Sequence, residues 1–170
     1  MPFPLGVLEQ ERLLTLNIHE EPGIDVGHII PGMKLWPLFL DQENGTYVLY
    51  AKYAPGTIMP PHFHTGPVHF FTTKGKWNYV EYPEDPQTAG SYLYEPTATV
   101  HSLCVPEDAE EEMEGFMVVS GANVNFDTDG NYLDTSHTGT MEMLILECAK
   151  RQGIDMPRYI RPSGRAAFTK

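Results

Sequence analysis

The sequence holds 170 residues, 41% hydrophobic and 20% charged, with a net charge of −12. A chain of this length suits one domain with a core of its own, and its acidity excludes the basic footprint of a nucleic-acid-binding protein. No run approaches the ~18 apolar residues of a membrane-spanning helix, and 15 Pro with 15 Gly imply frequent turns between short strands.

Residues 1–30 form an N-terminal segment without the basic start of a secretory signal; Leu13, Leu14, Leu16 and Ile18 in it could form a strand, and His19 and His28 read as surface histidines. Lys34 to Leu40 and Tyr47 to Tyr53 are rich in aromatic and aliphatic residues, with the hairpin signal Asn44-Gly45 between them. After Pro55-Gly56 and Pro60-Pro61 come Phe70 to Thr73, a turn at Lys74-Gly75, and Trp77 to Tyr82. In this last run Lys76 suits the outside, so alternation turns Trp77, Tyr79 and Glu81 inward. A carboxylate there needs a partner, such as a ligating histidine or a metal, unless the parity is reversed and the strand is exposed.

Tyr92 to Glu95, Thr99 to Val105, Phe116 to Val119 and Val124 to Phe126 read as further strands, and Asp129-Gly130 as a turn. Pro106 to Gly115 carries six acidic residues and reads as a solvated loop. Met141, Leu144, Ile145 and Cys148 follow helical spacing, which predicts a helix over 141–152 with Thr140 capping its start and Gly153 its end. Together these elements predict an all-β barrel with a C-terminal α-helix packed outside. Residues 154–170 form a basic tail: residues 150–170 hold six of the eleven basic residues and only Asp155 among the acids. It is either solvated or docked on an acidic surface, its own or a neighbour's. Cys104 and Cys148 read as reduced thiols of a cytoplasmic protein.

The chemistry lies in the histidines. His62 and His64, two apart in a strand, point the same way and can share an ion. Gly56 precedes them, Gly75 follows, and Gly90, Pro96 and His101 come downstream. This pattern resembles the two motifs of the cupin superfamily, and implies a jelly-roll β-barrel in which His62, His64 and His101 hold one divalent transition metal. Where the family has a glutamate this chain has His69, one residue short in its spacing to Gly75; Ala98 replaces a glycine and Val105 an asparagine. His69 is either a fourth ligand or a hydrogen-bond donor beside the metal.

The strings His62-x-His64-Thr65-Gly66-x-Val68-His69, Gly75-x-Trp77-Asn78-Tyr79, Thr88-Ala89-Gly90-x-Tyr92-Leu93-Tyr94-Glu95-Pro96 and Asn123-Val124-Asn125-Phe126 resemble the 2,4'-dihydroxyacetophenone dioxygenase family, which is similar to the acetylacetone dioxygenases. The resemblance implies a non-haem Fe(2+) enzyme that cleaves a carbon–carbon bond beside a carbonyl with O2, on a small, aromatic hydroxyketone or a diketone. Imidazoles alone would equally suit Zn, Ni or Cu. A zinc-holding sensor and a metal-dependent isomerase or lyase are the rival readings. Glu95, six residues before His101, can orient the site or move a proton, as can Glu81. Trp77, Tyr79, Phe70 and Tyr92 are either core or the walls of a substrate pocket. The expected partners are a small substrate, O2, no nucleic acid, no membrane, and further copies of the chain as a homodimer or higher oligomer, since open sheet edges want cover.

Overall fold

The computed structural model describes residues 13–162. Its strands are β1 (Ile24–Asp25), β2 (Met33–Asp41), β3 (Thr46–Tyr53), β4 (His62–His64), β5 (Val68–Lys74), β6 (Lys76–Tyr79), β7 (Tyr82–Thr88), β8 (Tyr92–Glu95), β9 (Leu103–Cys104), β10 (Met113–Ser120), β11 (Asn123–Phe126) and β12 (Tyr132–Ser136), followed by helix α1 (Thr138–Arg151). A six-stranded antiparallel sheet runs β1-β2-β3-β10-β5-β8, and two three-stranded sheets, β12-β11-β4 and β7-β6-β9, complete the fold. This is the jelly-roll architecture with a C-terminal helix that the sequence implies. Among the described residues no helix is long and apolar enough to cross a membrane.

Cross-strand register organises the large sheet. One row reads Leu40–Tyr47–Val119–Val68–Glu95 across five strands, and its first four members are among the buried core. Burial of such side chains contributes roughly 1.5–3 kcal/mol each. On the opposite face the row Trp36–Tyr50–Phe116–Phe71–Tyr92 crosses the same strands. Trp36 and Tyr50 are covered, whereas Phe71 and Tyr92 are exposed. The chain at Glu21 shields Trp36, accepting a bond from its indole N–H at 2.9 Å.

The hairpin at Asn44-Gly45 forms as expected, with the Asp41 side chain accepting from the backbone of Glu43 and Asn44. Four expectations need correction. Residues 13–18 are not a strand, and Leu13 lies in solvent. The strand expected through Tyr82 ends at Tyr79, because Val80 and Glu81 form a two-residue turn that pairs Tyr79 with Tyr82. Thr99 to Val105 is a strand only at Leu103–Cys104, with an isolated bridge from His101 to His62. The acidic loop ends before Met113. Glu114 belongs to β10, where it is buried and accepts from the Tyr50 hydroxyl and from Lys52 Nζ at 2.9 Å.

Helix α1 starts earlier than the apolar spacing predicts. His137 is its N-cap: its Nδ1 accepts from Gly139 N at 3.0 Å while Thr140 Oγ1 accepts from His137 N at 2.7 Å. This is a capping box with histidine where serine is usual. Beyond the helix the tail turns back onto its own body. Ile160 bonds to Leu38 and Leu40 of β2. Arg158 pairs with Glu21 at 3.2 Å and Arg161 with buried Glu142 at 3.3 Å. Of the tail's basic residues, Arg165 and Lys170 lie outside the described residues, as do residues 1–12 of the N-terminal segment. Cys104 and Cys148 are both unpaired.

Candidate metal centre

β4 carries His62 and His64 on one face, and the bridge from His62 brings in His101. The loop to His101 begins at Pro96, and Ala98 N donates to His64 O at 2.9 Å. Ala98 has φ +63, the left-handed conformation that explains a glycine in the family motif and that costs an L-residue about 1–2 kcal/mol. Gly75, another motif glycine, has φ +72, and a Cβ there would meet Glu112 O at 2.6 Å.

The three imidazoles are buried, with ring centroids 4.6 Å (His62–His101), 5.0 Å (His62–His64) and 5.4 Å (His64–His101) apart. One ligand atom from each lies within 4.8 Å of the other two. Main-chain carbonyls fix two of the tautomers. His62 Nδ1 donates to Pro60 O and His101 Nδ1 to Thr99 O, both at 2.8 Å. Their Nε2 atoms are then left with bare lone pairs. Burial, followed by the neighbouring His101, drives the pKa of His62 down from 6.5 to about 4, so it stays a neutral donor.

Glu95 enters from β8. Its Oε2 lies 3.1 Å from His64 Nε2 and 3.3 Å from His101 Nε2, while Tyr79 donates its hydroxyl to Oε1. Glu95 Oε2 and His101 Nε2 are nonetheless buried without an aligned hydrogen bond. Burial opposes the charge on Glu95, but His101 and His64 outweigh it and hold the carboxyl below the ordinary carboxylate range. His64 Nδ1 is a third buried atom without a partner, and polar atoms left unpaired this close together are satisfied by a cation among them. The donor set therefore fits a divalent metal: three nitrogens with an adjacent oxygen, a set borderline ions accept.

The other expected site residues divide. Phe70 and Tyr79 line the cavity that contains the histidines, whereas Trp77 is wholly buried beneath it, with its indole N–H on Thr72 Oγ1 at 2.9 Å. His69 is on the outer face of β5, its Nδ1 2.8 Å from the Tyr92 hydroxyl, and Tyr92 shares that face. Neither lines the cavity. Glu81 is exposed in the turn, where it accepts from Ser102 N at 2.9 Å.

The cavity has a volume of about 330 Å3, within the usual range for small-molecule sites. Its walls are mainly apolar, with Leu49, Met117 and Val119 from the large sheet and Met141 and Leu144 from α1. Asn123 and Asn125, for which the sequence motifs imply no role, also line it. They stand directly opposite His64 and His62 in the β11–β4 register. Alternate asparagines in a β-strand, facing a known H-x-H, are the signal that would have found them.

Comparison with known proteins agrees with this architecture. Residues 14–124 match the ChrR Cupin-like domain family. A protein with a cupin-like fold from Ralstonia eutropha JMP134 is 39% identical, with a TM-score of 0.88 over 96% of this chain and 100% of that one. An RmlC-like cupin from the same organism is 24% identical, with a TM-score of 0.77 over 86% and 92% of the two chains. The acetylacetone dioxygenase of Acinetobacter johnsonii shares the fold at 18% identity, with a TM-score of 0.68 over 87% of this chain and 99% of that one. No curated protein matches the sequence.

Proposed function

The chain belongs to the ChrR cupin-like family, and on that premise we propose that it is a non-haem iron(II) dioxygenase that cleaves a carbon–carbon bond beside a carbonyl in a small hydroxyketone or diketone. The observation that carries this reading is the convergence of His62, His64, His101 and Glu95 in the wall of a mainly apolar cavity of about 330 Å3. The fold likeness to acetylacetone dioxygenase supports the choice of reaction.

His62, His64 and His101 would hold the ion. When bound, the metal supplies Lewis acidity toward substrate oxygens and the chemistry of O2. The rest falls to the chain. Leu49, Phe70, Met117 and Val119 exclude water from the reacting carbons and suit an apolar or aromatic body. Glu95 Oε2 is placed to accept the proton lost on enolisation, because Tyr79 occupies its other oxygen and fixes its orientation. The balance is closed by O2 alone. An α-hydroxyketone gives two carboxylic acids, and a β-diketone gives one acid and an α-ketoaldehyde, with both oxygen atoms entering the products.

The test is metal analysis of anaerobically purified protein, followed by an oxygen electrode and a panel of α-hydroxyketones and β-diketones. Iron at one per chain with stoichiometric oxygen uptake supports the reading. Iron bound with no uptake on any candidate overturns it in favour of an isomerase, lyase or sensor role. We place the protein in the cytoplasm as a homodimer or higher oligomer. Exposed Phe71, Tyr92 and Tyr94 beside the β8 edge support association, which sedimentation decides.

A further inference from the structure

Three tyrosines line the cavity: Tyr47, Tyr53 and Tyr79. Two have their hydroxyls engaged, Tyr47 on Asn123 Oδ1 at 2.9 Å and Tyr79 on Glu95. Tyr53, on β3, is only 2% exposed, and among the described residues its hydroxyl has no hydrogen-bond partner. Because Tyr53 lines the cavity, that O–H is open to whatever fills the space and is free to donate to it. It lies within the field of Glu95 and Tyr47; burial first, and then the Glu95 charge, push its ionisation up, so it remains an O–H donor. Asn123 adds a second donor. Its carbonyl oxygen is occupied by Tyr47, so its amide N–H groups remain for the cavity, beside His64.

We infer that Tyr53 is a substrate-binding residue, whose phenolic O–H donates to an oxygen of the bound substrate while the Asn123 amide donates to the same oxygen or its neighbour. The inference rests on the dioxygenase reading for its reaction but not for its geometry. It narrows the ligand class to small molecules with an apolar body and a carbonyl or anionic oxygen as acceptor. It rejects ammonium-bearing ones, which would set N–H against O–H and N–H. Tyr47 acts through Asn123 and is a positioning residue.

The experiment uses the full chain loaded with Fe(II) under anaerobic conditions and titrated with acetylacetone and, separately, acetohydroxamate, two oxygen-donor chelators. Affinity and the position of the charge-transfer band are read together. Tyr53→Phe removes one oxygen atom and leaves the ring packed. It should hold wild-type iron yet bind both probes about 10- to 100-fold more weakly, with a shifted band. Asn123→Leu should weaken binding similarly, and Tyr47→Phe less, since the amide remains but is no longer held. Wild-type affinity and an unshifted band in Tyr53→Phe would overturn the inference while leaving the reaction untouched. If the probes bind and Tyr53→Phe weakens them, yet no carbonyl compound consumes oxygen, the donor role stands and the dioxygenase reading falls. If wild-type protein with iron binds neither probe, both fall.

Discussion

Glu95 stands directly opposite Val68 across the β5–β8 ladder, and that pairing carries a carboxylate into the histidine cluster. In the motif the family glutamate follows the H-x-H pair, but here that position is His69, which faces outward. The inward neighbour on β5 is Val68, and the next strand supplies the charge instead. Glu95→Gln keeps the volume and the Tyr79 contact but removes the charge. Metal affinity should fall about 10- to 100-fold, with turnover reduced by about 10²–10⁴-fold in enzyme reloaded with iron. Competition with a colorimetric chelator measures the first, and oxygen uptake the second. Unchanged values in both would detach Glu95 from the site.

His64 and His69 are five residues apart and should behave oppositely. His64→Ala removes a buried nitrogen from the cluster, and elemental analysis should find most of the metal gone. His69→Ala removes ring contacts with Tyr92 and Tyr94 on the outer face, so occupancy should equal that of wild type. Loss of metal in His69→Ala would return that residue to the ligand set.

Ala98 offers a gain. With φ +63 it carries a Cβ in a conformation suited to glycine. Ala98→Gly relieves about 1–2 kcal/mol of strain and gives back about 0.5–1 kcal/mol in chain entropy. Thermal unfolding of the metal-free protein should show a small rise in Tm. A fall would mean that the turn before His101 is not strained.

The tail closes over a buried charge. Glu142 accepts from Gln42, Tyr159 and Arg161, and Ile160 adds backbone bonds to β2. Tyr159→Phe should cost about 1–2 kcal/mol in denaturant unfolding. Ending the chain after Gly153 should cost more, because Glu142 then loses two of its partners. Since Arg158 and Arg161 are engaged within the chain, the truncation should not alter sedimentation beyond its lost mass. Dissociation would place the tail between subunits.

The histidine cluster was legible because its spacing is local. Two residues on one face of a strand need no knowledge of the fold, and the motif glycines before them mark turns. Long-range placement was less legible. Alternation through Trp77 and Tyr79 described both correctly, then failed at Glu81 because a two-residue turn preserves the look of a strand. β7, Tyr82–Thr88, contains two prolines and two acids and is exposed except at half-buried Gln87, so nothing apolar announced it. Glu114 looked like part of a solvated acidic run, and only its partners Tyr50 and Lys52, 64 and 62 positions away by chain, reveal why it is buried. Glu95 was recognised as near the site, but its approach to His64 depends on the β5–β8 register, which no local pattern contains.

Acid should unfold the metal-free protein through His62. Its pKa falls from 6.5 to about 4 on folding, first because it is buried and then because His101 lies beside it. Above the unfolded value of 6.5 the imidazole is neutral in both states and contributes no pH dependence. As pH drops below that value the unfolded chain takes up a proton that the folded one refuses, so stability declines. The decline ends near pH 4, where the folded protein binds the proton as well. The loss over this window is about 3 kcal/mol. Glu95 acts in the opposite sense of charge and lower in pH: its carboxyl is depressed by folding, so its contribution persists above the ordinary value of 4.5 and fades only as pH falls below it. The two windows are therefore separable. Urea unfolding in the presence of a chelator, at intervals from pH 7.5 to 4.5, should show a steady fall in midpoint for the wild-type chain. His62→Gln cannot titrate, and its curve should run flatter over the same interval. Parallel curves for the two proteins would mean that His62 is not held neutral by its surroundings, and the case for a preformed neutral nitrogen at that position would go with it.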